Sequence, residues 1–331
     1  VLDPKNTPRF GSDPEGFFKQ GDNIIGSEKL IPENGISSYS GKVVRDGVQF
    51  ELNPRSATSI EDLGKHVSGL FAALQKRLDK NPDVSICFDG LVDVSQEELA
   101  SLSPATRKLG CNPSYNAYED RPITVDPMLY TKRSSGGHIH IGTSNENLMQ
   151  QRTQAIYPFD ILVGNTCVML DRDPGAAERR ENYGRAGEFR MPSYGLEYRT
   201  ISNWWLRDYT LMNFVFSLAH IAYEFSFQSF NGNKELWDAL AEKVNIKNIV
   251  RAIDTNDAAL ALKNFKRLMP VLRKNLPVEG FALTPKNIPQ FIAFAESVQQ
   301  KGIAEFFPTE SIVPNWIKGK QVSFNDYLQS L

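Results

Sequence analysis

The chain has 331 residues, 41% apolar and 23% charged, with a formal charge of −2. This is ample for a sizeable core and suggests two domains, or one large domain with an appendage, and it excludes a mini-protein. It describes an ordinary soluble protein with no global electrostatic pull toward nucleic acid or anionic membrane. Cys87, Cys111 and Cys167 are widely separated, with no C-x-x-C pair, so neither a disulfide framework nor a zinc ribbon is indicated and a reducing compartment fits best.

Residues 1–6 lack the apolar core of a signal peptide. The most hydrophobic later stretch, 212–227, is interrupted by Asn213, His220 and Glu224, so no membrane span is expected. Residues 9–57 read as short strands joined by turns such as Pro32-Glu33-Asn34-Gly35 and Arg45-Asp46-Gly47, the latter opening toward an alternating strand at 48–52. Within this stretch Asp13 and Glu15 share a face if their segment is a strand, and two such oxygen ligands suit Mg²⁺. Asp-Pro-Glu-Gly also satisfies a type I turn. Glu51 lies between apolar neighbours, a pattern common on the exposed face of a half-buried strand.

Thr58 and Glu61 have capping-box spacing, and Ile60, Leu63, Val67, Leu70, Phe71, Leu74 and Leu78 recur at helical intervals, predicting a helix over 59–79. Residues 84–88 read as a strand. Residues 110–127 form a long loop rich in Asn, Pro, Tyr and Asp that can border a pocket. Its Tyr115, Asn116, Glu119 and Asp120 offer aromatic surface and negative charge to an ammonium-bearing acceptor, or simply form a packed surface loop.

Gly136-Gly137-His138-Ile139-His140 follows, with both imidazoles on one face of a strand and Ile139 on the other. Imidazole ligates Mn²⁺ or Zn²⁺ and, protonated, donates to phosphate. His66 and His220 sit in helical patterns and read as packing or surface residues.

Residues 147–169 are helical in pattern, and 183–202 return to strands, with a hairpin around Ser193-Tyr194-Gly195. Arg179, Arg180, Arg185, Arg190 and Arg199 crowd this stretch, and arginine favours bidentate phosphate or carboxylate recognition. Arg179 and Arg180 read as surface ion pairs with neighbouring glutamates. Arg190 and Arg199 are embedded in aromatic strands, where Glu188 projects with Arg190 and Glu197 with Arg199. An aromatic-rich buried helix is predicted over 207–228, and a mainly helical region from 231 to 331 after a catalytic unit of residues 1–230.

The order of these motifs resembles the glutamine synthetase-like carboxylate-amine ligases. Arg179-Arg180-x-x-Tyr183-Gly184-x-Ala186-Gly187, Glu197-Tyr198-Arg199-Thr200-Ile201-Ser202-Asn203-Trp204-Trp205 and the Gly-Cys-Asn-Pro-Ser-Tyr-Asn-Ala-Tyr run at 110–118 look most like the bacteriophage COOH-NH2 ligase type 2 branch. The resemblance covers roughly residues 9–228 and implies an α+β fold: a curved antiparallel sheet, helices on its convex face and a helical C-terminal region. It implies metal ligation by Asp13, Glu15, Glu51, His138 and Glu197, ATP binding by His140, Arg185, Arg190 and Arg199, and catalytic roles for Glu15, Arg190 and Arg199. Gly136, Gly137, Tyr115, Asn116, Glu119 and Asp120 are assigned to substrate binding.

The implied reaction is ATP-dependent, ADP-forming amide synthesis through an acyl phosphate, with Mg²⁺ or Mn²⁺ and small-molecule or peptide carboxylate and amine substrates. The expected location is the cytoplasm of an infected bacterial host. The alternatives are a virion protein retaining the ligase fold, with phage-particle association, and a phosphotransferase acting on a guanidinium. No clear nucleic-acid site is read. Asp13 departs from the family's usual glutamate, which bears on metal choice. The sequence opens at the acidic segment without the separate N-terminal domain of glutamine synthetases, so their ring-shaped oligomer is not implied.

Overall fold

The computed structural model describes residues 8–107, 114–119, 131–143, 152–230, 234–276 and 282–331. It is an α+β protein. Its strands, in chain order, are β1 (Arg9–Ser12), β2 (Glu15–Gln20), β3 (Asn23–Ile25), β4 (Ile36–Ser38), β5 (Gly41–Asp46), β6 (Gln49–Pro54), β7 (Val84–Cys87), β8 (Leu91–Asp93), β9 (Tyr115–Asn116), β10 (Lys132–Ser134), β11 (Ile139–Gly142), β12 (Glu188–Arg190) and β13 (Gly195–Tyr198).

They form two principal antiparallel sheets. One has the order β1-β11-β13-β12-β9, the other β3-β2-β6-β5-β4 with β7 also paired to β2, while β8 and β10 form a separate pair. The chain passes from the first sheet to the second at Asp13-Pro14. There the Pro14 carbonyl accepts from Leu52 N at 2.9 Å and Glu15 N donates to Gly136 O at 2.9 Å, so the two sheets are stitched together beside the acidic pair.

Strand alternation divides the first sheet cleanly. Ile139, Ile141, Leu196, Tyr198 and Phe189 are buried on one face, and register places Ile139 opposite Tyr198 and Phe189 opposite Tyr198. Helices cover that face: Phe159 packs on Tyr198 with ring centroids 5.5 Å apart, and Phe216 lies edge-on to Phe10 at 6.4 Å. Phe159 ends the helix Arg152–Phe159, and the chain continues through a π-helical turn, Asp160–Gly164, into Asn165–Val168. The predicted start of this helix, at 147, lies outside the described residues.

The helix Ile60–Leu78 forms close to where its periodicity predicts, burying Leu63, Val67, Leu70, Phe71, Leu74 and Leu78. Its cap falls one residue later than the Thr58–Glu61 spacing suggests: Ser59, in extended conformation, accepts from Asp62 N. The Ser59–Asp62 pair has the same capping spacing, and the backbone enters the helix only after Ser59. The aromatic-rich helix is Tyr209–Phe230, and beyond it lie further helices from Lys234–Lys243 to Phe324–Ser330. One hydrophobic cluster runs from Phe10 to Leu328, so the C-terminal helices share a core with the sheet. Among the described residues no helix is long and apolar enough to cross a membrane.

Candidate active site

The polar face of the first sheet is built by register. His140 faces Glu197 across β11 and β13, Arg190 faces Glu197 across β12 and β13, and Gly11 of β1 lies beside His140. Imidazole, carboxylate and guanidinium thus form a row across adjacent strands, flanked by a glycine that leaves the row open on that side. Asp13, just beyond β1, reaches into it. Its Oδ1 is 2.9 Å from His138 Nδ1 and 3.3 Å from His140 Nε2, while His138 Nδ1 is 3.7 Å from Glu197 Oε1. Ligand atoms of Asp13, His140 and Glu197 all lie within 4.8 Å of one another.

Charge explains this arrangement. Burial alone would push the Asp13 carboxyl up, but the His138 and His140 imidazoles outweigh it and hold the group well below its ordinary value. Burial lowers His138 despite Asp13, whereas at His140 the Asp13 carboxylate wins and the imidazole is raised.

A second cluster sits on the neighbouring sheet. Glu15 on β2 stands directly opposite Glu51 on β6, and a carboxylate oxygen of Asp46 joins theirs within 4.8 Å. Like charges opposite one another destabilise a strand pair. Accordingly Glu15 is pushed up to about 8, by burial first and then by the Asp46 and Asp13 charges. Glu51 is pushed up to about 9 by burial and by Asp13, Glu15 and Asp46. Gly136 N, Asn53 and the Arg199 charge offset part of this crowding, and protons or a cation would relieve the rest. All-oxygen donors suit Mg²⁺ or Mn²⁺, and the Asp13–imidazole–Glu197 set suits Mn²⁺ or a similar borderline ion, so the residues present fit divalent metal.

Asp13 and Glu15 therefore fall into different groups of ligand atoms. The Pro14 crossing delivers them to adjacent clusters on different sheets. Asp46 is the acid that the sequence reading missed. Placing the two-residue turn at Gly47-Val48, with Gly47 at positive φ, would have exposed it, because that register puts Asp46 opposite Gln49, two residues from Glu51 and on its face.

The arginines divide into different tasks. Arg199 is buried; its Nη1 donates to Glu197 and its Nη2 to the Tyr183 hydroxyl at 2.7 Å. Arg190, one-quarter exposed, has Nη1 3.6 Å from Glu197 Oε1. Arg185 points elsewhere, 3.2 Å from Glu119 Oε1 and 3.7 Å from Asp254 Oδ2, and does not join the Arg190–Arg199 group.

Arg179 and Arg180 overturn the surface ion-pair expectation. Both are fully buried, and Arg179 donates to the carbonyls of Ser135, Tyr183, Thr200 and Ile201 while Arg180 donates to those of Gly184 and Thr200. The charges clamp main chain that frames the site, a role that the guanidinium fork fills and local sequence does not reveal. Glu188, which shares the polar side with Arg190, is likewise buried and accepts from Gly184 N and Arg185 N.

Gly136 N donates to Glu15 Oε2 at 2.7 Å, and a Cβ there would come within 2.3 Å of His138 Nε2, so any side chain would displace the imidazole. Gly137 O accepts from Trp205 Nε1 at 3.0 Å. Asn116 is buried, its amide donating to Ala186 O and its carbonyl accepting from Tyr118 N. Tyr115 is exposed beside Phe189, Glu119 pairs with Arg185, and Asp120 lies outside the described residues. His66 Nδ1 donates to Arg55 O, and His220 sits 3.6 Å from Glu224, both away from the row.

Residues 118–243 match the family described as Phage phiEco32-like COOH.NH2 ligase-type 2. No curated protein matches the chain significantly. The ligase-type 2 segment contains His138, His140, Tyr183, Arg190, Glu197 and Arg199, in agreement with the resemblance read from the motifs. Asp13, Glu15, Asp46 and Glu51 precede it in the chain and meet it only in the folded structure.

Proposed function

We propose that the protein is an ATP-dependent carboxylate-amine ligase of the glutamine synthetase-like type, forming an amide through an acyl phosphate. The observation that carries this reading is the pair of acidic clusters beside Arg190 and Arg199, with residues from the ligase-type 2 segment and from the N-terminal strands on the same site. Asp13, His138 and Glu197 would hold one divalent cation, and Glu15, Asp46 and Glu51 a second. Bound Mg²⁺ or Mn²⁺ supplies charge neutralisation and Lewis acidity to the polyphosphate and the transferring phosphoryl group.

The chain's own groups do the rest. Arg190, at the accessible end of the row, donates to phosphoryl oxygens, and His140 does so when protonated, a state that Asp13 favours. Arg199 adds positive charge from below while keeping Glu197 in place. The substrate carboxylate attacks the γ-phosphorus in line and ADP leaves; the amine then attacks the acyl carbon and phosphate leaves.

The test uses the protein with ATP, Mg²⁺ or Mn²⁺ and host metabolite extract, with ¹⁸O in the carboxylate pool. Amine-dependent ADP release, a condensed product by mass and ¹⁸O in the released phosphate are expected. A stable phosphorylated product formed without amine would establish a kinase instead, and absence of any ATP turnover would overturn the reading.

A further inference from the structure

One buried side chain joins the imidazole side of the site to its guanidinium side, and neither the motif reading nor the family match assigns it a role. The Tyr183 hydroxyl lies 2.7 Å from His138 Nε2 and 2.7 Å from Arg199 Nη2. Its ring is held between two guanidinium groups, with Arg179 Cζ 4.8 Å and Arg199 Cζ 5.4 Å from the centroid, and stands edge-on to His138 at 5.7 Å. The chain leaves the helix Ala176–Asn182 at Tyr183 in extended conformation, and Gly184 follows with φ of 76°. That turn aims the ring inward, between the clamp arginines and the polar row.

Arginine only donates, so the phenol oxygen accepts from Arg199. The same oxygen lies 2.7 Å from His138 Nε2, as acceptor if that nitrogen carries the hydrogen and as donor if it does not. Across the His138 ring, Nδ1 lies 2.9 Å from Asp13 Oδ1, a hydrogen bond when that nitrogen is protonated, and 3.7 Å from Glu197 Oε1, spacings at which a cation could take the place of the proton. A histidine that ligates metal through one nitrogen is oriented by an acceptor for the hydrogen on the other.

We infer that Tyr183 is a positioning residue: it accepts the His138 Nε2 hydrogen, fixes the tautomer that presents the Nδ1 lone pair to a divalent cation, and through the same oxygen ties that ligand to Arg199. The inference rests on the ligase reading for its purpose, but its geometry is independent of turnover. One oxygen thus couples the cation position to the charge beneath the phosphoryl site. Loss of the hydroxyl loosens both together, whereas the ring alone maintains the contacts with Arg179.

The experiment is long-range ¹H–¹⁵N spectroscopy of histidine-labelled protein, in which only four imidazoles appear, with and without Mg²⁺, beside Mn²⁺ titration followed by electron paramagnetic resonance in the absence of ATP. Wild type is expected to show His138 as the Nε2–H tautomer with Mg²⁺. Tyr183→Phe is expected to lose that single tautomer and to weaken Mn²⁺ binding on the order of 10- to 100-fold. An Nδ1–H tautomer in Mg²⁺-loaded wild type overturns the inference whether or not the variant folds, and so does unchanged Mn²⁺ affinity in folded Tyr183→Phe. Expected tautomer and affinity changes without ATP turnover in wild type would leave the positioning role intact and sink the ligase reading alone.

Discussion

Glu51 is the residue at which stability and function pull in opposite directions. Its carboxyl is crowded by Asp13, Glu15 and Asp46, and its folded value of about 9 lies above the ordinary 4.5. For an acid raised on folding, the native state binds more protons than the unfolded chain between those values, so stability declines as pH rises through that window. Glu15, raised to about 8, contributes with the same sign. Without divalent cation the melting temperature is therefore expected to fall between pH 5 and 9, and saturating Mg²⁺ should flatten the profile, because the cation replaces the protons. Glu51→Gln should raise the metal-free melting temperature at pH 8 while weakening Mg²⁺ binding at least tenfold, measured by calorimetry. A variant less stable than wild type without metal, binding Mg²⁺ normally, would remove Glu51 from the cation site. Glu197 differs: it holds buried Arg199, so its replacement by Gln strands a charge and costs stability as well as turnover.

At the scale of elements, the segment between the helix Ala176–Asn182 and β12 is shaped by arginines facing inward. Arg179 satisfies carbonyls on three separate stretches, at Ser135, Tyr183 and Thr200–Ile201. Arg179→Met keeps the apolar stem and removes the donors; Thr200 and Ile201 keep Arg180 and the Gly137 N–H, but the Ser135 and Tyr183 carbonyls lose this partner, at a cost of about 2 kcal/mol. Urea denaturation should register this loss, and Arg179→Lys should recover only part of it, because an ammonium lacks the planar fork. A loss below roughly 0.5 kcal/mol, the range of ordinary surface substitutions, would show that the clamp is dispensable. These elements also show what a sequence discloses. Period-two alternation disclosed which residues share a face within each strand, His138 with His140, Glu188 with Arg190 and Glu197 with Arg199, whereas the alignment of those faces into one row needed the strand register. The partition of Asp13 and Glu15 between sheets was not disclosed, since it depends on strand pairing across more than 100 residues. Nor was the burial of Arg179 and Arg180: charge in a polar run reads as solvated until the carbonyls it serves are known. Tyr183 escaped notice because its partners lie at 138 and 199.

For the whole molecule, the C-terminal helices are locked into the core rather than appended to it. Trp316 stacks on Phe71 with centroids 5.6 Å apart and donates from Nε1 to Leu206 O at 2.6 Å. Ser68 reaches back to the Trp316 carbonyl at 2.6 Å. Trp316→Ala is expected to destabilise the fold by about 3–5 kcal/mol in a single cooperative transition reporting on both the sheet and the C-terminal helices. Two separated transitions, with the first insensitive to the substitution, would instead mean that the helices fold independently.

Pro14 sets a dimension for everything the site can hold. Residues two apart cannot have Cα atoms separated by more than roughly 7.6 Å, whatever the surrounding loops do. With Asp13 in one cluster and Glu15 in the other, covalent bond lengths cap how far apart the two clusters can stand. On the proposed reading, a polyphosphate is measured against that upper limit, and a guest whose anionic groups stand much farther apart leaves one cluster unserved. Selection by length would then survive remodelling of the pocket walls and fail on a one-residue insertion at the proline.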